Sequence, residues 1–225
     1  DIIINTKNYR SFIVVYYMNN GDPVQAGVWP TLFGSVGALC TCFLVIPIVN
    51  HSAQKYGKKR TLLYTQSISI FGYMLFWWGF SPDKLWLMLL PLPLFAFGIG
   101  GLFTIMMSMT ADICDMDELE TGERREGIFG AIYWWMVKFG AALAGGASGL
   151  ILSVIGFDQS TAIQTEETLI LLRLSYIFIP IIGTLAAIMI MRNYELDEQK
   201  ANDIRAQLDL IRQKSTTIKV ESVSK

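Results

Sequence analysis

The chain has 225 residues, 52% of them hydrophobic and 16% charged, against about 25% charged in a typical soluble domain. Mean hydropathy is +0.42 and net charge −1, so the composition describes a polytopic membrane protein and offers no basic surface for nucleic acid. Cys40, Cys42 and Cys114 lie in or beside apolar runs and read as reduced, buried small hydrophobes, not as a disulfide framework or metal site.

A bilayer core about 30 Å thick takes about 20 apolar residues as helix. The first apolar run, SFIVVYYM (11–18), is too short to cross; Lys7 and Arg10 precede it and the turn residues NNGDP (19–23) close it. It reads as a helix truncated at its start, over about 1–18. Residues 26–50, 61–82 and 85–111 carry no charge, 127–157 carry only Lys138, and 168–191 only Arg173. These long continuous runs predict helices, not the short alternating strands of a barrel. The expectation is an all-α membrane protein, a six-helix bundle over 1–192 with its first helix incomplete, followed by a tail over 193–225.

Basic residues in short loops set the orientation. Lys55, Lys58, Lys59 and Arg60, then Arg124 and Arg125, then Arg192, Lys200, Arg205, Arg212 and Lys214 fall two spans apart, whereas SPDK (81–84) and the acidic 158–167 lie between them. The basic side is the cytoplasm. In the tail, Leu196, Ile204, Leu208 and Ile211 recur at roughly helical spacing among charges. Residues 194–214 therefore read as a helix against the cytoplasmic face, and STTIKVESVSK beyond it as disordered.

Lys138 lies eleven residues after Gly127, about 16 Å along a helix and so near mid-membrane. An ammonium there costs about 2.5–3.5 kcal/mol, and either a polar cavity or a salt bridge to another helix must offset it. Trp134, Ala141, Ala142 and Gly145 share its face. Trp134 either stacks on a sugar ring or is a packing residue. The run from Gly140 to Gly149 is rich in small residues, as are Gly98, Gly100 and Gly101, and small residues let helices approach closely in lipid.

The loop TADICDMDELETGERREG (110–127) sets Asp112 and Asp115 on one helical face, with Arg124, Arg125 and Glu126 a turn beyond. Both signs at a membrane end suit ion pairs that form in one conformation and break in another. The segment lacks the ligand order of a calcium loop. No nucleophile elbow, zinc helix or P-loop occurs in the sequence, and the single histidine, His51, sits at a span end. The sequence shows no enzyme.

Residues 110–127, continuing through AIYWWMVKFGAALAGGASGLIL, resemble the glycoside–pentoside–hexuronide:cation symporters, the melibiose-permease family of the major facilitator superfamily. SFIVVYYMNNGD resembles the end of helix seven, QKYGKKR the basic loop between helices eight and nine, and 193–214 the cytoplasmic tail. The resemblance implies twelve helices in two halves, this chain being the second. It implies a sugar- and cation-site role for Lys138; Trp134, Phe103 and Ala142 are expected to line the same cavity. It also implies that Asp112, Asp115, Arg124 and Glu126, with Arg125 beside them, tie the halves together on the cytoplasmic side. Trp134 stands where melibiose permeases have a threonine, and Phe103 where they have a tryptophan, which points away from melibiose itself. The family's acidic cation ligands belong to the other half.

The expectation that follows is symport of a sugar or glycoside with Na⁺ or H⁺, with no cofactor and no metal. The partners are that small molecule, membrane lipid and the missing N-terminal half, but no nucleic acid. The setting is the bacterial inner membrane. Transport of lipid or drug-like cargo, a non-transporting sensor or scaffold, and a half-transporter acting as a homodimer are the alternatives.

Overall fold

The computed structural model describes residues 10–82, 84–158, 161, 163–194 and 198–223, with side chains through 213. Lys7 and the first part of the opening helix, Leu196, the Lys214 side chain and residues 224–225 lie outside that description. Every described element is helical.

A π-helical segment, Ile13–Tyr17, runs into the 19–22 turn, where Asp22 accepts hydrogen bonds from the amides of Val24 (2.8 Å) and Gln25 (3.3 Å) and so caps the single turn Pro23–Ala26. Helix α1 (Trp29–Leu39), a π-helical stretch (Cys40–Val45) and α2 (Ile46–Tyr56) then follow end to end. Gly57, at φ +83°, turns the chain into α3 (Lys58–Gly79). A 3₁₀ turn, Leu85–Leu89, leads into α4 (Leu92–Thr121). Gly122, left-handed at φ +73°, ends α4 by donating its amide to the Glu118 carbonyl at 2.9 Å. Helix α5 (Glu126–Val154) follows, then α6 (Glu166–Arg192), capped by the Thr165 hydroxyl, and α7 (Glu198–Val223). Helix α7 runs beyond 214, and neither Gly nor Pro interrupts its sequence.

Among the described residues, four helical stretches are long and apolar enough to cross a membrane: Pro23–Tyr56, Leu85–Thr121, Glu126–Val154 and Glu166–Arg192. With the helical composition they make this a multi-pass α-helical membrane protein. Helix α3 is as long as a span but polar along one side, because Thr61, Thr65, Gln66 and Ser69 are all buried. They face α4, where Gln66 donates to the Gly98 carbonyl at 2.9 Å. A Cβ at Gly98 would stand 2.6 Å from the Cβ of Ser69, and one at Gly101 2.7 Å from that of Thr65. The glycines thus let the two backbones meet. The second small-residue strip behaves differently: added Cβ atoms at Gly140, Gly145, Gly146 and Gly149 meet nothing within 4 Å.

The main core joins Ile13, Val14, Phe33, Tyr73, Phe76, Phe80, Leu92, Leu172 and Tyr176, and a smaller cluster around Val45, Val49, Leu62, Ile105 and Met109 lies nearer the charged end. Arg173, 8% exposed, ties α6 into the main core. Its guanidinium lies 4.3 Å from the Tyr17 ring centre and 4.2 Å from that of Trp77, and it donates to the Tyr17 hydroxyl and the Trp77 carbonyl. The cysteines depart from the sequence reading in one respect. Cys114 is buried and Cys40 partly so, but Cys42 is exposed, because its stretch of chain borders a cavity instead of the core.

Candidate functional site

The loop that follows α4 is organised by charge. Asp112, 4% exposed, lies within α4 and accepts from Lys58 of α3 at 2.6 Å and from Arg205 of α7. Arg205 also reaches Asp115, at 3.6 Å. Arg124 gathers three carboxylates: Asp115 at 3.3 Å, Glu118 at 2.8 Å and Glu126 at 3.1 Å. Arg125 turns the other way, to Asp117. Arg212 of α7 closes the array, donating to both oxygens of Glu118 at 2.8 and 2.9 Å. Hydrogen bonds to Glu118 and Glu126 hold the Arg124 guanidinium above its already high ordinary value, and Asp117 does the same for Arg125. Both stay cationic at any pH the protein meets.

Four of the five charged residues singled out in the sequence, Asp112, Asp115, Arg124 and Glu126, are therefore linked in one array, and Arg125 forms a separate pair beside it with Asp117; their partners include residues the sequence reading did not select: Lys58, Asp117, Glu118, Arg205 and Arg212. Lys59 adds a bond to the Tyr194 carbonyl at 2.7 Å. Ala201 and Leu208 turn inward from α7 and are buried, so the tail helix is docked by an apolar stripe as well as by arginines. Of the apolar positions that periodicity marks, Leu208 is buried and Ile204 partly so, whereas Ile211 is exposed and Ala201, which periodicity does not mark, is buried; nothing in the sequence pairs the arginines with particular acids.

The membrane-depth candidates separate into two groups. Lys138, Trp134 and Ala142 are exposed on α5, a helix in which Ser148 alone among the described residues is buried. No carboxylate among the described residues pairs with Lys138, and the Trp134 ring packs edge-on against its neighbour Tyr133 at 5.4 Å. Phe103 lies elsewhere. It lines an open cavity of about 450 Å³ bordered by α3, α4, α5 and α6, and the α5 residues there are Tyr133, Met136, Val137 and Gly140, on another side of the helix from Lys138. The cavity that Phe103 lines does not include Lys138. A second cavity, of about 370 Å³, lies between Arg10, α1 and the start of α4.

Against known proteins, the profile of the family described as MFS/sugar transport protein matches residues 9–198. A glucuronide carrier protein homolog of Escherichia coli (strain K12) is 30% identical over 72% of this chain and 35% of its own length. An uncharacterized symporter of Bacillus subtilis, YnaJ, is 27% identical over 92% of this chain and 44% of its own. An isoprimeverose transporter of Lactiplantibacillus pentosus is 26% identical over 84% and 38%. The chain thus spans less than half the length of these curated relatives. No solved structure matches it.

Proposed function

Because the chain belongs to the family of MFS/sugar transport proteins, we propose that the whole protein is a secondary transporter that moves a sugar or glycoside together with Na⁺ or H⁺ by alternating access. This chain is its C-terminal six-helix half. The observation that carries the reading is the bare face of α5: an apolar helix, exposed along the side that bears Lys138 and an open strip of small residues. Such a surface calls for a second body, and an ammonium at that depth calls for an anion or water on it. An N-terminal half supplies both. The relatives' names, carrier and transporter of glucuronide and isoprimeverose, support sugar cargo, and the name symporter supports a coupling ion.

In this reading Lys138 biases the protonation or occupancy of a carboxylate on the facing half, while Trp134, Ala142 and Phe103 shape the passage. The array over 112–126 is the cytoplasmic lock, closed when the site faces outward, and the tail lies in the cytoplasm of a bacterial cell, under its inner membrane. Lys138→Ala and Lys138→Val in the full-length protein test it. Cation-driven sugar uptake into proteoliposomes is expected to vanish while the protein still purifies folded. Undiminished uptake would remove Lys138 from the mechanism.

A further inference from the structure

Arg10 is a buried cation with a cavity beside it. It lies about ten residues before the turn that ends its helix, roughly 15 Å along it, which in a core of about 30 Å is the middle. It is 9% exposed, its guanidinium lies 4.2 Å from the centre of the Phe33 ring, and its Nε is buried without an acceptor. Among the described residues no carboxylate pairs with it. A guanidinium keeps its charge in any setting, and one aromatic face offsets only part of the cost of burying it.

The space around it is built for something to enter. Arg10 lines the cavity of about 370 Å³, whose far wall is α1 and the π-helical stretch that continues it. That wall is smooth: Gly34 borders the cavity, and a Cβ there would meet nothing within 4 Å. Thr41, also on the wall, already donates its hydroxyl proton to the Gly37 carbonyl at 2.8 Å, so its oxygen is left to accept. A second orphan lies close by: the Tyr176 hydroxyl is buried with no partner and is within electrostatic reach of Arg10. The segments Ile13–Tyr17 and Cys40–Val45, on the two sides of this region, are both π-helical, a distortion that tends to accompany function.

We infer that the Arg10 cavity is the subsite for a carboxylate carried by the transported sugar, a uronate-type ring instead of a neutral glycoside. A guanidinium fork matches a carboxylate with two parallel hydrogen bonds. The apolar glycine-lined wall gives the ring room, and the Thr41 oxygen is available to one of its hydroxyls. The inference rests on the sugar-transport reading above.

The test uses the full-length protein in proteoliposomes with two probes that differ only at C6, methyl β-glucuronide (carboxylate) and methyl β-glucoside (hydroxymethyl). Arg10→Gln is expected to raise the KM for the glucuronide roughly tenfold or more with the glucoside unchanged, and Arg10→Lys to fall between. A second measurement needs no variant. Cys42, exposed and on the wall of the same cavity, is expected to react more slowly with N-ethylmaleimide when glucuronide is present but not when glucoside is, as read by mass spectrometry of its peptide. Equal loss for both probes in Arg10→Gln would make Arg10 a structural counter-ion to a carboxylate elsewhere in the protein and overturn the subsite, as would equal protection of Cys42 by both. Uptake of the glucoside alone would overturn the subsite while leaving sugar transport standing. Uptake of neither would overturn both.

Discussion

Lys58 and Asp112 meet at 2.6 Å across 54 positions of sequence, at the end of the bundle where α3 begins and α4 prepares to leave it. Lys58 is fixed by the start of its helix and also donates to the Ser108 carbonyl at 3.4 Å, while Asp112 is 4% exposed and takes Arg205 on its other oxygen. One carboxylate thus joins α3, α4 and α7. Taking away one partner of a buried ion pair strands the other, at a cost of about 3 kcal/mol or more.

Asp112→Asn is therefore expected to destabilise the protein by about 3 kcal/mol, because it removes the anion from Lys58 and Arg205 together. Lys58→Met should cost less, since Arg205 remains on the carboxylate. Thermal unfolding in detergent, followed by tryptophan fluorescence, checks the order. Equal melting temperatures for Asp112→Asn and wild type would mean that the array contributes nothing to holding the three helices together.

The docking of α7 has a second component that salt reaches. Arg205 and Arg212 are each near half exposed, and exposed pairs contribute only about 0.5–1 kcal/mol apiece. Arg205→Ala with Arg212→Ala is expected to speed amide hydrogen exchange in 198–213 about fivefold. High salt should do nearly the same to the unaltered protein. Leu208 and Ala201, buried beneath the helix, keep it from detaching, so exchange that rises to the rate of unstructured chain would mean that those two residues hold nothing.

What could be read from sequence and what could not divides along a physical line. An all-α membrane class follows from long charge-free runs, because only helices satisfy their own backbone in lipid. Asp112 and Asp115 share a face by helical arithmetic alone. Which bases meet Asp112 depends on pairings over 54 and 93 positions, and Glu118 beside it is met over 94; no local pattern encodes those. Arg10 and Arg173 illustrate the same limit. Both are arginines beside apolar runs, yet one is clasped between Tyr17 and Trp77 and the other faces a cavity over Phe33. The two small-residue strips also look alike in sequence, and only packing shows that one is filled and one open.

That contrast gives a third prediction. At Gly98 a methyl group would stand 2.6 Å from the Ser69 Cβ, so Gly98→Ala must push α3 and α4 apart, at a cost of about 1–3 kcal/mol. At Gly145 the same methyl meets nothing within 4 Å among the described residues, and Gly145→Ala should leave the stability of this chain unchanged. If the strip instead slides against the N-terminal half during transport, Gly145→Leu in the full-length protein is expected to depress uptake with little change in melting temperature. A Gly145→Leu protein that transports normally would mark the strip as lipid-facing.

Arg173 supplies a prediction whose readout is structural. Its guanidinium lies close to two aromatic rings and spends two donors, one on the Tyr17 hydroxyl at 2.6 Å and one on the Trp77 carbonyl. A planar guanidinium that lies near two rings while donating through two separate nitrogens is an arrangement an ammonium cannot copy. Arg173→Lys is therefore expected to lose about 2 kcal/mol even though the charge is kept, and Arg173→Leu a similar amount, because leucine fills the volume but leaves the Tyr17 hydroxyl unpaired. Near-equal losses for the two variants in detergent melts are the signature of a role set by shape and donor geometry. If Arg173→Lys melted like wild type, the charge alone would suffice, and Arg173 would be a counter-ion instead of the clasp that holds α6 to the first helix and α3.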